Sequence, residues 1–361
     1  MKKLFVIVII AILIGLANSI FIAYTNNTII NNLRQLNASL TEVSNELKLL
    51  KKELGAIQEL HYPLFIRDAL ERMVSIKSEP NRIVSCTPSI TEMLFALGLS
   101  DKIVGVDQFS NYPKELLDLI NTGKIKTVGG VTTLSPERVA ALKPDLVLID
   151  ASLQKKFLST LEGFGLTVVA LESRSLSDVL NNIKLIAKIT SKFKEGEATI
   201  SKIESTIREV QFKLSNVNKQ KVVFLVWPNP MWATGNGTYL HELISIASGE
   251  NVFSDKSGWI VVNPEQIVAA NPDVLIMSSM SLPRPPDELI NYLKGLPGFD
   301  QINAIKNNRI YILNGSAANA LERPGPRVAD ATLILASILH PNIFGVIMPN
   351  FINEYESLIR R

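Results

Sequence analysis

Residues 136–149 read PERVAALKPDLVLI and residues 264–277 read PEQIVAANPDVLIM, one phrase written twice, from Pro136 and again from Pro264. Its local physics is the same in both places. Ser135 and Asn263 precede it as helix N-caps, and Pro136 and Pro264 take the first helical position, where no backbone N–H is needed. Glu137 and Glu265 then fall in the first turn, where the helix dipole favours an anion. Lys143-Pro144-Asp145 and Asn271-Pro272-Asp273 break the helix and feed an apolar run of strand length. Helix-start chemistry accounts for both glutamates without any further duty. A supersecondary unit repeated at this distance implies two similar halves.

The flanking segments agree. In the first half, RIVS (82–85), KIVGVD (102–107), LVLID (146–150) and TVVAL (167–171) read as strands, with ITEMLFALGL (90–99) as a helix. In the second, VVFLVW (222–227), VLIM (274–277) and RIYIL (309–313) are strands, YLHELISIAS (239–248) is a helix, and a last helix runs from about Arg327 to Leu339. Strands alternating with helices imply mainly parallel sheets covered by helices. Residues 178–214 lack proline and place Ile200, Ile203, Ile207, Val210 and Leu214 at helical spacing, which reads as one long helix joining two lobes. Such a joint permits only limited hinge motion.

The N-terminus differs from the rest. Leu4–Tyr24 is uncharged and follows Lys2 and Lys3. It matches the roughly 20 residues that a membrane-crossing helix needs, and the flanking charge places the remainder outside. The expected localisation is therefore a single-pass cell-membrane protein with an extracytoplasmic body, a cleaved signal peptide being the rival reading. Ile29, Leu33, Leu36, Leu40, Val43, Leu47, Leu50, Leu54 and Ile57 then alternate spacings of four and three. This heptad register suits a coiled-coil stalk of roughly 40 Å that joins copies of the chain, or an amphipathic helix lying on the body. The expected organisation is an anchor at 1–25, stalk at 26–62, linker at 63–80, N-terminal lobe at 81–176, connecting helix region at 177–216, C-terminal lobe at 217–345 and tail at 346–361.

Composition closes off some classes. The net charge of +3 gives no reason to expect nucleic acid. A single cysteine, Cys86, excludes an intrachain disulfide, and three histidines (His61, His241, His340) leave no multi-histidine metal cluster. The sequence holds no G-x-S-x-G, H-E-x-x-H or G-x-x-x-x-G-K-[ST] motif, so an enzyme is not expected.

RIVSCTPSITEMLFALGLSDKIVGVDQFSNYP, followed by VGG and by the proline–glutamate helix before KPDLVLI, resembles the substrate-binding proteins of ABC importers for vitamin B12 and ferric siderophores. The resemblance covers about residues 80–340. It implies two Rossmann-like lobes joined by a long helix, a ligand held between them, and delivery to a permease dimer driven by separate ATPase subunits. It implies that Glu137 and Glu265 dock, one per lobe, on the paired permease subunits. It also implies that Tyr112 in SNYP, Trp232 in NPMWATG, Trp259 in SGWIVVNPE and Arg323 in LERPGPR face the ligand. Aromatic rings stack on planar or macrocyclic ligands, and an arginine pairs with phosphate or carboxylate. For Tyr112 and Trp259, core packing is the competing assignment. Asn319 stands where some B12 binders carry an acid, so the ligand stays open between cobalamin and a ferric siderophore, with heme behind them. No resident cofactor or metal is implied. The alternative is a membrane-tethered receptor or oligomeric surface protein that uses the same fold without transport.

Overall fold

The computed structural model describes residues 35–47, 61–278 and 285–359. The chain divides into two compact units, Met1–His61 and Tyr62–Arg361. In the first, residues 35–47 are helical, with Leu36 and Val43 half-buried and Leu40 and Leu47 exposed. The apolar stretch 4–24 and the outer parts of the heptad register lie outside the described residues.

The second unit opens with a hairpin, β1 (Leu64–Arg67) and β2 (Met73–Ile76), in a stretch that the sequence reads as linker. Alternation explains it: Ile66 and Ile76 point into the core while Phe65 and Met73 face solvent. Asp68 fastens the hairpin to the body, accepting from the backbone N–H of Ala170 at 3.1 Å.

The N-terminal lobe is a five-stranded parallel sheet in the order β5-β4-β3-β6-β7, formed by β3 (Ile83–Ser85), β4 (Ile103–Val106), β5 (Lys126–Thr127), β6 (Leu146–Asp150) and β7 (Val168–Leu171). Helix α1 (Pro88–Ala96) follows β3, and α2 (Pro136–Ala141) precedes β6. The C-terminal lobe is seven-stranded. Its parallel part joins β8 (Gln220–Pro228), β12 (Val274–Ser278), β13 (Ile310–Leu313) and β14 (Phe351–Ile352), with β10 (Gly249–Asn251) beside the start of β8. Two antiparallel strands, β9 (Met231–Thr234) and β11 (Trp259–Val262), extend the other edge.

The repeated phrase does the same work in both lobes. Its aspartate closes on the start of the lobe's first strand: Asp145 accepts from the N–H of Arg82 at 3.0 Å, and Asp273 from that of Lys221 at 3.0 Å. The strand it feeds, β6 or β12, pairs in parallel with that first strand. Lys143 and Asn271, at matching positions, both turn left-handed, with φ 48° and 45°.

The connection between lobes is two helices rather than the single one expected. Helix α3 (Leu176–Ile189) stops at Thr190, and α4 (Phe193–Lys213) follows, a rod of about 30 Å. Ser191 takes φ 57°, and the Thr190 hydroxyl donates to the Ile186 carbonyl at 2.7 Å, so the break is made without proline or glycine. One apolar core runs from Ile83 and Leu148 in the first lobe, through Ile183, Ile203 and Ile207 on the connecting helices, to Phe224 and Ile334 in the second. Each lobe carries a second, private core on the opposite face of its sheet. The shared layer joins the lobes across the connection.

Candidate functional site

In open parallel sheets, ligands settle at the carboxyl ends of the strands. Here those ends face each other. After β4, the Phe109 carbonyl and Asn111 Oδ1 accept from Arg323, which follows the helix α7 (Gly315–Glu322) beyond β13, at 3.1 and 2.8 Å. After β7, the backbone N–H of Leu176 donates to Glu242 on α5 (Tyr239–Ile246) at 2.7 Å. Beside this second contact lies an inter-lobe pocket of about 500 Å3, with Arg174, Ser175 and Asp178 on one wall and Asn236, Thr238 and His241 on the other.

Next to the pocket, the antiparallel edge of the C-terminal sheet presents an apolar wall. Met231, Ala233 and Val262 point into that lobe's private core. Alternation then turns Trp232, Trp259 and Val261 outward together, because Val261 sits opposite Trp232, and Trp259 opposite Thr234. They are 37%, 48% and 55% exposed, so Trp259 is no core residue. Trp227 lies opposite Trp232 and is tied down by its indole N–H, which donates to the Asn229 carbonyl at 2.8 Å. The wall is joined to the pocket rim: Gly235 N–H donates to Gly258 O at 2.9 Å, and Gly258 N–H to Asn236 O at 2.8 Å. A Cβ on Gly235 would stand 2.6 Å from the Lys256 carbonyl, so only glycine permits this approach.

Tyr112 and Arg323 sit elsewhere. Arg323 caps the end of α7 rather than lying in an open loop, and it is buried. Tyr112 is half-buried, with the Arg327 guanidinium 4.2 Å above its ring. Both arginines reach Glu92 on α1, and Tyr112, Glu92 and Arg327 border a second pocket of about 410 Å3 beside Thr199 and Lys202 of α4. The structure thus brings Trp232 and Trp259 together, and Tyr112 and Arg323 into a separate inter-lobe cluster.

Sequence reasoning missed Glu92, Arg327, Glu242 and Glu322. Glu92 carried a signal: an acid inside an apolar helical run is rarely buried without a partner. Glu322 Oε1, Asn319 Oδ1 and Arg323 Nε are buried without a hydrogen-bond partner among the described residues. Burial pushes the Glu322 carboxyl up to about 7, against a hydrogen bond from Ser278 and the positive charge of Arg323. Burial also raises Asp107, although Ser110 and the Phe109 N–H donate to it and Arg323 lies near.

Glu137 and Glu265 are both exposed, each the second residue of its helix, α2 and α6 (Pro264–Ala270). Ser135 accepts from the Arg138 N–H at 3.3 Å and donates to Glu137 at 2.9 Å. The backbone N–H of Glu137 and the Ser135 hydroxyl hold the Glu137 carboxyl below its usual range. Asn263 and Gln266 form a reciprocal capping box, with both bonds at 2.9 Å.

A family model described as periplasmic binding protein matches residues 83–317. The uncharacterized ABC transporter substrate-binding lipoprotein YvrC of Bacillus subtilis (strain 168) is 31% identical over 291 residues, covering 78% of this chain and 87% of the relative. The vitamin B12-binding protein of Vibrio parahaemolyticus is 26% identical over 277 residues, 76% of this chain and 93% of the relative. A solved structure of a possible iron-binding (periplasmic solute-binding) protein from Staphylococcus epidermidis superposes with a TM-score of 0.63 at 28% identity, covering 72% of this chain and 99% of that one.

These findings correct the expected localisation. The Bacillus subtilis relative is a lipoprotein, and among the described residues no helix is long and apolar enough to cross a membrane, so the single-pass assignment is withdrawn. Its basis was hydropathy, which reads alike in a span and in a processed leader.

Proposed function

Because the chain belongs to the periplasmic binding protein family, we propose that it is the substrate-binding subunit of an ABC importer, capturing cobalamin or a ferric siderophore between its lobes. The observation that carries this reading is the exposed apolar wall of Trp232, Trp259 and Val261 beside an inter-lobe pocket of about 500 Å3. Ligand sites combine apolar surface with polar groups that orient the ligand; here the tryptophan wall supplies the first and the polar lining of the pocket the second. The vitamin B12-binding relative supports a corrinoid, and the possible iron-binding neighbour supports a ferric chelate.

In this reading the two indoles stack on the ligand and exclude water from one face. Tyr112 and Arg323 stand in the separate inter-lobe cluster around Glu92, where Arg323 is paired with Glu92, Asn111 and the Phe109 carbonyl, so in this reading they frame the cleft rather than stack on the ligand. No bond of the ligand is made or broken, so the protein is a binder and not an enzyme. Glu137 and Glu265, exposed at equivalent places in the two lobes, would each meet a basic group on one subunit of a permease dimer, whose ATPase partners supply the energy. The heptad register around the helix at 35–47 supports self-association of the chain outside the lobes, which sedimentation velocity would read.

The test is calorimetric titration of the full chain with cyanocobalamin, ferric siderophores and heme, followed in parallel by tryptophan fluorescence. One-to-one binding with quenching supports the reading. A folded chain that binds none of them overturns it.

A further inference from the structure

Glu92 belongs to the N-terminal lobe and is 3% exposed. Its carboxylate accepts from Arg327 Nε at 2.8 Å and Nη2 at 2.6 Å, and from Arg323 Nη1 at 3.2 Å. Both arginines belong to the C-terminal lobe. The other bonds of Arg323 also cross between lobes, to Asn111 Oδ1 at 2.8 Å and the Phe109 carbonyl at 3.1 Å. Arg323 is thus held from the opposite lobe, with its Nε–H left unpaired.

One buried carboxylate between two guanidiniums is a poor device for stability alone. Apolar residues of the same volume pack as well without the desolvation cost, and the shared core already joins the lobes. What such a triad adds is registry. Two buried like charges stay side by side only while the acid between them is ionised and in place. Both partners of that acid move away from it if the lobes part.

We infer that Glu92 is a positioning residue: it sets the separation of the lobes on this side of the cleft and holds Arg323 and Arg327 in register with the N-terminal lobe. Its consequence for ligand capture rests on the function proposed above, whereas its effect on lobe separation does not. Glu92→Gln keeps the shape of the side chain but leaves two buried cations with a neutral partner. The lobes then relax apart on this side, and a bound chelate escapes faster.

The experiment places spin labels on exposed positions of the two lobes, Lys155→Cys and Lys294→Cys, in the full chain, and reads the distance distribution by pulsed electron resonance without ligand. Glu92→Gln is expected to broaden the distribution and lengthen its mean, and Glu92→Asp, which keeps the charge, to restore most of it. Dissociation of cyanocobalamin or a ferric siderophore, whichever binds, is expected to accelerate about tenfold in Glu92→Gln. A folded Glu92→Gln with an unchanged distribution overturns the inference. Should that variant fail to fold, Arg327→Lys keeps the charge but loses the two-pronged contact; it is expected to broaden the distribution, and an unchanged one overturns the inference equally. If the wild-type chain binds neither probe, the functional reading falls, and the distance distributions still decide the role of Glu92.

Discussion

The backbone N–H of Leu176 donates to the carboxylate of Glu242 at 2.7 Å, so the first turn of a helix leaving one lobe is completed by an acid from the other. Ser175 and Asp178 already form a reciprocal capping box at that helix start. The Leu176 N–H is one of the orphan donors that the box leaves over. Replacing Glu242 with alanine should cost about 1–2 kcal/mol, and Glu242→Gln less, since an amide oxygen still accepts. Denaturant midpoints measure both. Equal stability of the alanine variant would show that water serves this N–H as well.

Stability should fall as pH rises toward and through neutrality, in a part that belongs to Glu322. Its folded carboxyl titrates at about 7, while the unfolded chain releases the same proton in the ordinary carboxylate range. Between those values the folded state holds the extra proton, so raising the pH favours unfolding. The effect is on the order of 1–3 kcal/mol when complete. Glu322→Gln should match the wild type near pH 4.5 and exceed it at pH 8. Thermal scans of both proteins across that range test this, and parallel curves would refute it.

Docking predicts a separation of functions. Glu137→Ala together with Glu265→Ala should abolish uptake of cyanocobalamin or a ferric siderophore by vesicles carrying the permease. Ligand affinity should stay within about twofold and the fold should be retained, because both side chains are exposed. Normal uptake by the double variant removes the docking assignment.

The wall predicts the converse. Trp232→Ala or Trp259→Ala should weaken ligand binding roughly 10- to 50-fold, about 1.5–2.5 kcal/mol, through lost apolar contact and stacking. Folding should change little, since both indoles stand on the open face of the sheet. Calorimetry on each variant decides, and full affinity in both would place the ligand elsewhere.

Lys143 offers a test of the repeat itself. It holds φ 48° with its side chain in solvent, where its counterpart Asn271 holds φ 45°. Asparagine tolerates the left-handed region better than lysine. Lys143→Asn should therefore stabilise the protein by about 0.5–1 kcal/mol, visible as a higher denaturant midpoint at unchanged slope.

The helix starts at Pro136 and Pro264 were readable because cap, proline and first-turn acid lie within four residues of one another. The strands that follow them were readable because a buried parallel strand is a continuous apolar run. The break at Ser191 was not, since threonine, serine and lysine carry no strong stop signal. The hairpin at 64–76 was hidden because short alternating runs resemble a linker until a surface exists for Ile66 and Ile76 to cover. Trp232 and Trp259 were visible as candidates, but their shared face follows from a strand register that only pairing creates.

By itself the sequence determined the local grammar of this protein: where helices begin, which runs become buried strands, and that the pattern occurs twice. At the repeated phrase those choices rest on neighbours within a turn or two, whereas the hairpin at 64–76 forms only against the packed body. The tertiary structure alone decided which charges meet. Glu92 finds Arg327 across 235 residues, and Glu242 finds the Leu176 N–H across 66. A buried charge is tolerable only where the closed fold delivers its partner, and that delivery is a property of the packed lobes, not of any segment.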